Sequence, residues 1–256
     1  AEHLTPVTLE MGGKNPCVVD QTANISLAAR RIAWGKFINC GQTCIAPDYA
    51  LVHEKVKDQF VEYCKKEITR IYGDDPHQSP DYGRIINHCN FEVLKRNLAG
   101  EKILSGGNTD PVDLYIEPTL LDNPGKESHV MKHEIFGPIL PVVTYSTEQE
   151  IHDCISSYEK PLAFYIFSND AKFVKRLIAL HSFGGGTVND TIVHFANHRL
   201  PFGGVGHSGI GAYHGKFSFD TFTHKKGVCH KVTWPDIPLR YPPYNAKLGI
   251  IKKVIK

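Results

Sequence analysis

Cys44 stands in unusual company among seven cysteines. The stretch "NCGQTCIAPD" (39–48) sets it among Gly41, Gln42 and Pro47, where neither helical nor strand periodicity holds. A thiol kept for packing belongs in an apolar run. A thiol on a loop is surrounded by unpaired backbone N–H groups, which favour thiolate and stabilise an oxyanion. Cys44 therefore reads as a nucleophile, against the alternative of a small buried apolar side chain. Glu10, in "VTLEMGGKNP", ends an apolar run and precedes two glycines. A partly desolvated, movable carboxylate there suits a general base, against the alternative of a turn glutamate. Glu134, in "HEIFGPILPVV" (133–143), precedes an aromatic residue and a Gly-Pro turn, and its alternative is the entry to a strand.

The elements that must position these residues alternate between strand and helix. "NPCVVD" (15–20) predicts a buried strand. Asn24 then caps a helix through Ile25, Leu27, Ala28, Ile32, Ala33 and Phe37 that ends near Gly41, so Cys44 lies just past a helix end. Further strands are expected at "YALVHE" (49–54), "KILSGG", "YIEPTLL", "PILPVVTY" and "LAFYIF". Helices are expected over 55–72, 90–99, 147–157 and 170–181. This alternation predicts an α/β fold with a mainly parallel sheet and flanking helices. After about residue 183 the texture changes to glycine-rich loops, then to "KFSFDTFTH" and a Pro- and Lys-rich tail. The expected divisions are 1–213 (catalytic), 214–244 (a packing or oligomerisation segment) and 245–256 (a basic amphipathic tail).

Composition excludes several classes of function. With 41% hydrophobic and 22% charged residues and a net charge of +2, the 256-residue chain offers no broad basic face for nucleic acid. An odd number of cysteines without repeated short spacing argues for free thiols in a reducing, intracellular compartment. The start "AEHLTPVTLE" has neither an initiator Met nor a signal-peptide core, which suggests a fragment of a longer protein.

Together, "LEMGGKNP", "GQTC" and "EIFGP", followed by "GGGTVND" (184–190) and "PFGGVGHSG" (201–209), resemble the motifs of the aldehyde dehydrogenase superfamily in order. The resemblance is strongest to its class 3, fatty aldehyde dehydrogenase-like branch. Met11 replaces the usual Leu, and Cys40 adds a second thiol. The resemblance implies that Cys44 attacks an aldehyde, that hydride passes to NAD or NADP, and that Glu10 activates the water that hydrolyses the thioester. It implies further that Leu9, Glu134 and Phe136 contact the nicotinamide end of the cofactor and that Tyr213 and His214 lie near the substrate entrance. The expected substrates are medium- or long-chain or aromatic aldehydes, and the expected assembly is a homodimer. The family's N-terminal dinucleotide-binding domain would lie upstream of this sequence, so residues 1–256 alone are expected to bind dinucleotide weakly and either to self-associate or to need a partner that covers the bared apolar surface.

Other readings stay open. The chain could be a cofactor-independent thiol esterase remnant, or a non-catalytic assembly module. "GVGHSG" (204–209) fits G-x-G-x-x-G, but no strand precedes it and no acidic residue follows at the required distance, so it is not read as a dinucleotide site. His194 and His198 have the i, i+4 spacing of a metal pair without a helix or a third ligand, and no metal site is assigned. The tail "NAKLGIIKKVIK" would, as a helix, set Leu248, Ile250, Ile251, Val254 and Ile255 against Lys252, Lys253 and Lys256. Weak membrane-surface contact through residues 247–256 follows, with docking within the protein as its rival. The expected location is the cytoplasm or the cytosolic face of a membrane such as the endoplasmic reticulum.

Overall fold

The computed structural model describes residues 4–236, 238–244 and 248–254. The chain divides into two compact units, Ala1–Phe222 and Thr223–Lys256. In chain order the first unit holds β1 (Leu9–Glu10), β2 (Pro16–Val19), α1 (Ile25–Phe37), β3 (Tyr49–His53), α2 (Lys57–Tyr72), α3 (His88–Leu98), β4 (Ile103–Ser105), β5 (Thr109–Asp110) and β6 (Tyr115–Ile116). It continues with β7 (Thr119–Asp122), α4 (His129–Lys132), β8 (Ile139–Tyr145), α5 (Glu148–Ser156), β9 (Ala163–Phe167), α6 (Ala171–Leu180), β10 (Gly185–Val188), β11 (Gly209–Ile210) and α7 (Lys216–Phe222). The second unit contains α8 (Leu248–Val254).

Seven strands form the main sheet in the order β10-β9-β2-β3-β8-β7-β4, and every neighbouring pair is parallel except β7 with β4. Strands β2, β3 and β9 are buried at every residue, as continuous apolar runs covered on both faces should be. Helix α1 starts where the Asn24 side chain accepts the Leu27 N–H at 3.1 Å. It packs against α2, whose Phe60, Cys64, Ile68 and Tyr72 recur at helical spacing on the buried side. After α1, three successive left-handed residues, Asn39, Cys40 and Gly41, fold the chain back. A side chain at Gly41 would strike the Gly137 carbonyl, so glycine is required there by both conformation and contact.

The structure corrects two expectations of local structure. The strand expected across "YIEPTLL" is two strands: β6 pairs with β5 in a separate hairpin, and β7 joins the main sheet after Pro118. Proline has no N–H for a ladder, so a single strand cannot run through it. The "GGGTVND" stretch read as loop contains β10, in parallel register with β9 from Gly185↔Ala163 to Val188↔Ile166. Its glycines hide the strand from propensity yet make it possible, because a Cβ at Gly186 would collide with the Phe164 carbonyl. In "GVGHSG", the last two residues of the match fall at and just beyond a short 3₁₀ turn, Gly206–Ser208, which leads into β11.

The first unit extends past residue 213 through α7, where Thr221 Oγ1 donates to the Ala212 carbonyl at 2.7 Å. In the second unit Leu248, Ile250, Lys252 and Lys253 are exposed. Residues 245–247, 255 and 256 of the expected amphipathic tail lie outside the described residues. Among the described residues no helix is long and apolar enough to cross a membrane.

The burial pattern predicts that Leu51→Ala, in the central strand β3 at 1% exposure, costs about 2–5 kcal/mol. Leu180→Ala, at 63% exposure, should change stability by under about 0.5 kcal/mol. Urea denaturation of both variants checks this.

Candidate active site

Parallel pairing assembles the site. β2, β3 and β8 are adjacent and begin at Pro16, Tyr49 and Ile139. The segments carrying Glu10, Cys44 and Glu134 therefore enter the sheet side by side, at the N-terminal ends of three neighbouring strands. A buried ion pair then binds them together. Lys14 Nζ lies 2.5 Å from Asp48 Oδ2, with the two side chains 5% and 4% exposed. The same ammonium donates to the Val130 carbonyl (2.9 Å) and the His133 carbonyl (3.1 Å), and Asp48 Oδ1 accepts the Ile135 N–H at 2.9 Å. One lysine and one aspartate thus join the glutamate, cysteine and EIFGP segments.

Glu10 is carried on β1, which pairs antiparallel with β11 (Glu10↔Gly209), and the Met11 N–H donates to the Ser208 carbonyl at 3.0 Å. The Cys44 thiol donates to Glu10 Oε1 at 3.2 Å, and the Tyr213 hydroxyl donates to Glu10 Oε2 at 2.5 Å. Thiol, carboxylate and phenol, separated by up to 203 positions in sequence, form one hydrogen-bonded row. Burial and the adjoining Glu10 carboxylate push the thiol up to about 12, opposed by the residue's own backbone N–H. Tyr213 is likewise raised to about 12, by burial and by its bond to Glu10.

Glu134 is half-buried, and its carboxylate presses on Gly12 so closely that no Cβ would fit there. Burial and the charge of Asp48 raise it to about 7, while a backbone N–H bond from Gly13 and the ammonium groups of Lys36 and Lys14 oppose the shift. Lys36 is completely buried at the end of α1, its amine lacks a hydrogen-bond partner among the described residues, and burial lowers it to about 8. Leu9 and Phe136 present exposed apolar side chains at 45% and 41% exposure. Phe136 holds a left-handed backbone at φ +50°, a strained conformation for a bulky residue.

His214 adjoins Tyr213 but does not touch Glu10. Its ring stacks on Phe202 (5.3 Å between centroids, 23°) and lies 5.0 Å from Phe195, and its buried Nδ1 has no hydrogen-bond partner among the described residues. Phe202 and Tyr213 exchange both backbone hydrogen bonds, at 2.8 and 2.9 Å, so this aromatic group is fixed beside the Glu10 carboxylate. His194 is buried against Tyr165 and Phe202, His198 is exposed, and no three metal-binding side chains converge among the described residues.

The family model described as "Aldehyde dehydrogenase family" matches residues 1–228. This chain belongs to the aldehyde dehydrogenase family. It is 51% identical to rat "Aldehyde dehydrogenase family 3 member A2", over 95% of this chain and 51% of that protein. It is 49% identical to the dog "Aldehyde dehydrogenase, dimeric NADP-preferring", over 97% of this chain and 55% of the relative. A solved structure of Staphylococcus aureus AldH in a substrate-bound state superposes with a TM-score of 0.95 at 50% identity, covering all of this chain and 56% of the other. The chain thus spans about half the length of the relatives it matches.

Sequence reasoning missed the residues that hold this site together: Lys14, Asn15, Asp48 and Tyr165. Each left a signal. Asp48 and the Lys14–Asn15 pair flank the motif residues themselves, and the phenol of Tyr165 in the apolar run "LAFYIF" must find an acceptor once buried.

Removing one partner of the buried pair, as in Lys14→Met, should cost about 3–5 kcal/mol. Lys14→Met with Asp48→Asn should cost clearly less than the sum of the two single changes, as a double-mutant cycle in urea would read.

Glu134 adds a pH dependence. Its folded value of about 7 lies above its ordinary 4.5, so the folded state holds the proton more tightly and loses stability as pH rises between those values. Glu134→Gln should therefore stabilise the protein relative to the parent at pH 8 and not at pH 4. The difference is on the order of 2 kcal/mol and measurable by denaturation at both pH values.

Proposed function

We propose that this chain is the catalytic portion of an aldehyde dehydrogenase that oxidises apolar aldehydes, medium- or long-chain or aromatic, to carboxylic acids with NAD or NADP. The observation that carries the reading is the row Cys44–Glu10–Tyr213: a thiol 3.2 Å from a carboxylate that a phenol holds in place. The Cys44 thiol gives up its proton to solvent, and its sulfur forms a bond to the aldehyde carbon as the C=O π bond opens to an oxyanion, with Glu10 left as the carboxylate. A nicotinamide dinucleotide, when bound, supplies the hydride acceptor. The acyl group left on Cys44 is a thioester. Glu10 takes a proton from water as its oxygen attacks that carbonyl, the C–S bond breaks, and the acid leaves with the thiol restored.

For a nucleotide the chain offers Leu9, Glu134 and Phe136. Two exposed apolar side chains suit the nicotinamide ring, and a carboxyl poised near neutrality suits a ribose hydroxyl pair. The aromatic group of Phe195, Phe202, Tyr213 and His214 beside Glu10 supports an apolar substrate, with Tyr213 and His214 read as lining its entrance. The dimeric dog relative supports a homodimer. Weak contact of residues 247–256 with a membrane surface is the remaining proposal and rests on the sequence pattern of the tail.

With the N-terminal half of a relative supplied, Cys44→Ser should abolish reduction of cofactor by aldehyde. Glu10→Gln should still give a first-turnover burst, followed by steady-state turnover slowed about 10²–10⁴-fold. Full steady-state rates in either variant would overturn the assignment. An activated aryl ester, tested without cofactor, tells a cofactor-independent esterase from a dehydrogenase: ester turnover with no aldehyde oxidation in the complemented protein favours the former.

A further inference from the structure

Three consecutive carbonyls of the nucleophile loop are taken up by two buried side chains. Asn15 Nδ2 donates to the carbonyls of Cys44 (2.8 Å) and Ala46 (3.1 Å), and between them the Tyr165 hydroxyl donates to the Ile45 carbonyl at 2.6 Å. Asn15 is 1% exposed and Tyr165 fully buried. The asparagine is itself fixed from both sides. Its Oδ1 accepts the Ala163 N–H at 2.8 Å, and its backbone carbonyl accepts the Asp48 N–H at 2.9 Å. Asn15 thus spans the entries to β2, β3 and β9.

The loop sequence suits this capture. Pro47 has no N–H, so the Ala46–Pro47 peptide gives up its carbonyl without burying a donor. The Ala46 N–H is used within the loop, on the Thr43 carbonyl at 3.0 Å. The N–H groups of Cys44 and Ile45 have no backbone acceptor among the described residues, and that of Cys44 faces its own sulfur. In a trans peptide the N–H points opposite to the preceding carbonyl. Drawing the Cys44 carbonyl onto Asn15 therefore turns the Ile45 N–H away from it.

We propose that Asn15 and Tyr165 are positioning residues for the nucleophile: by holding the carbonyls of residues 44–46 they keep Cys44 Sγ at Glu10 and leave the loop's N–H groups free for charge developing on a bound carbonyl. This rests on the reading of Cys44 as nucleophile. Neither side chain touches the reacting atoms, and each acts through the Cys44 loop.

Tyr165→Phe removes one hydroxyl, and Asn15→Asp keeps the acceptor for Ala163 while removing the donor to Cys44 and Ala46. Three quantities are measured on the folded variants. One is the rate at which iodoacetamide labels Cys44 at pH 8, read by mass spectrometry of its peptide with the buried Cys17 as internal control. The others are kcat and KM for acylation by an activated aryl ester, and the Tm. Released from the Glu10 carboxylate, Cys44 should label about threefold faster or more for each unit its pKa falls, net of its reduced nucleophilicity. Labelling of Cys17 should not change. Acylation kcat should fall about tenfold or more with KM within about twofold, because the thiol is misplaced rather than the ester unbound. A lowered Tm with parental Cys44 labelling and parental kcat in Tyr165→Phe would overturn the proposal, whether or not Asn15→Asp folds. Acylation that survives Cys44→Ser would refute the nucleophile assignment instead, and the labelling rates would still decide where the loop sits.

Discussion

The buried Lys14–Asp48 pair is the interaction on which the site depends. Taking two charges out of water costs several kcal/mol per ion, and direct attraction alone does not reliably repay it. Here the ammonium also meets two carbonyls and the carboxylate also meets a backbone N–H, so most of the donors and lone pairs find partners. The gain is geometric as well as energetic. Those partners belong to the segments preceding β2, β3 and β8, and a shift of any one strand would strand a charge.

The site built on this pair is electrostatically crowded. Burial and the carboxylates of Glu10 and Glu134 raise the Cys44 thiol and favour its protonated form. Such a thiol is protected from adventitious oxidation and becomes reactive only when its proton can leave. Glu134 sits near neutrality for a related reason, since burial and Asp48 oppose its charge while Lys36 and Lys14 favour it. Close backbone approaches complete the crowding. Gly12 makes room for the Glu134 carboxylate, Gly41 for the Gly137 carbonyl, and Gly209 for the Leu9 carbonyl beside Glu10.

Much of this was legible without coordinates. Helical periodicity and the Asn24 cap place α1, so that Cys44 falls on the loop beyond it. Continuous apolar runs at 16–19, 49–53 and 163–167 announce buried parallel strands, and the glycine-flanked Glu10 and loop-borne Cys44 stand out by residue type alone. Local signals failed where glycine served a contact rather than a turn, as in β10. They failed again at Pro118, where proline divided an apolar stretch between two sheets.

The sequence by itself determined which groups are available for chemistry and which local element carries each. Residue type, spacing and capping act over a few positions. Only the tertiary structure decided that Cys44 meets Glu10, that Tyr213 reaches the same carboxylate from 203 positions away, and that Lys14, Asn15, Asp48 and Tyr165 lock the loops in place. Those contacts depend on strand order, and a chain's order in sequence does not state its order in a sheet. Parallel pairing of β2, β3 and β8 turns three distant segments into neighbours, and burial then requires every polar group delivered there to find a partner.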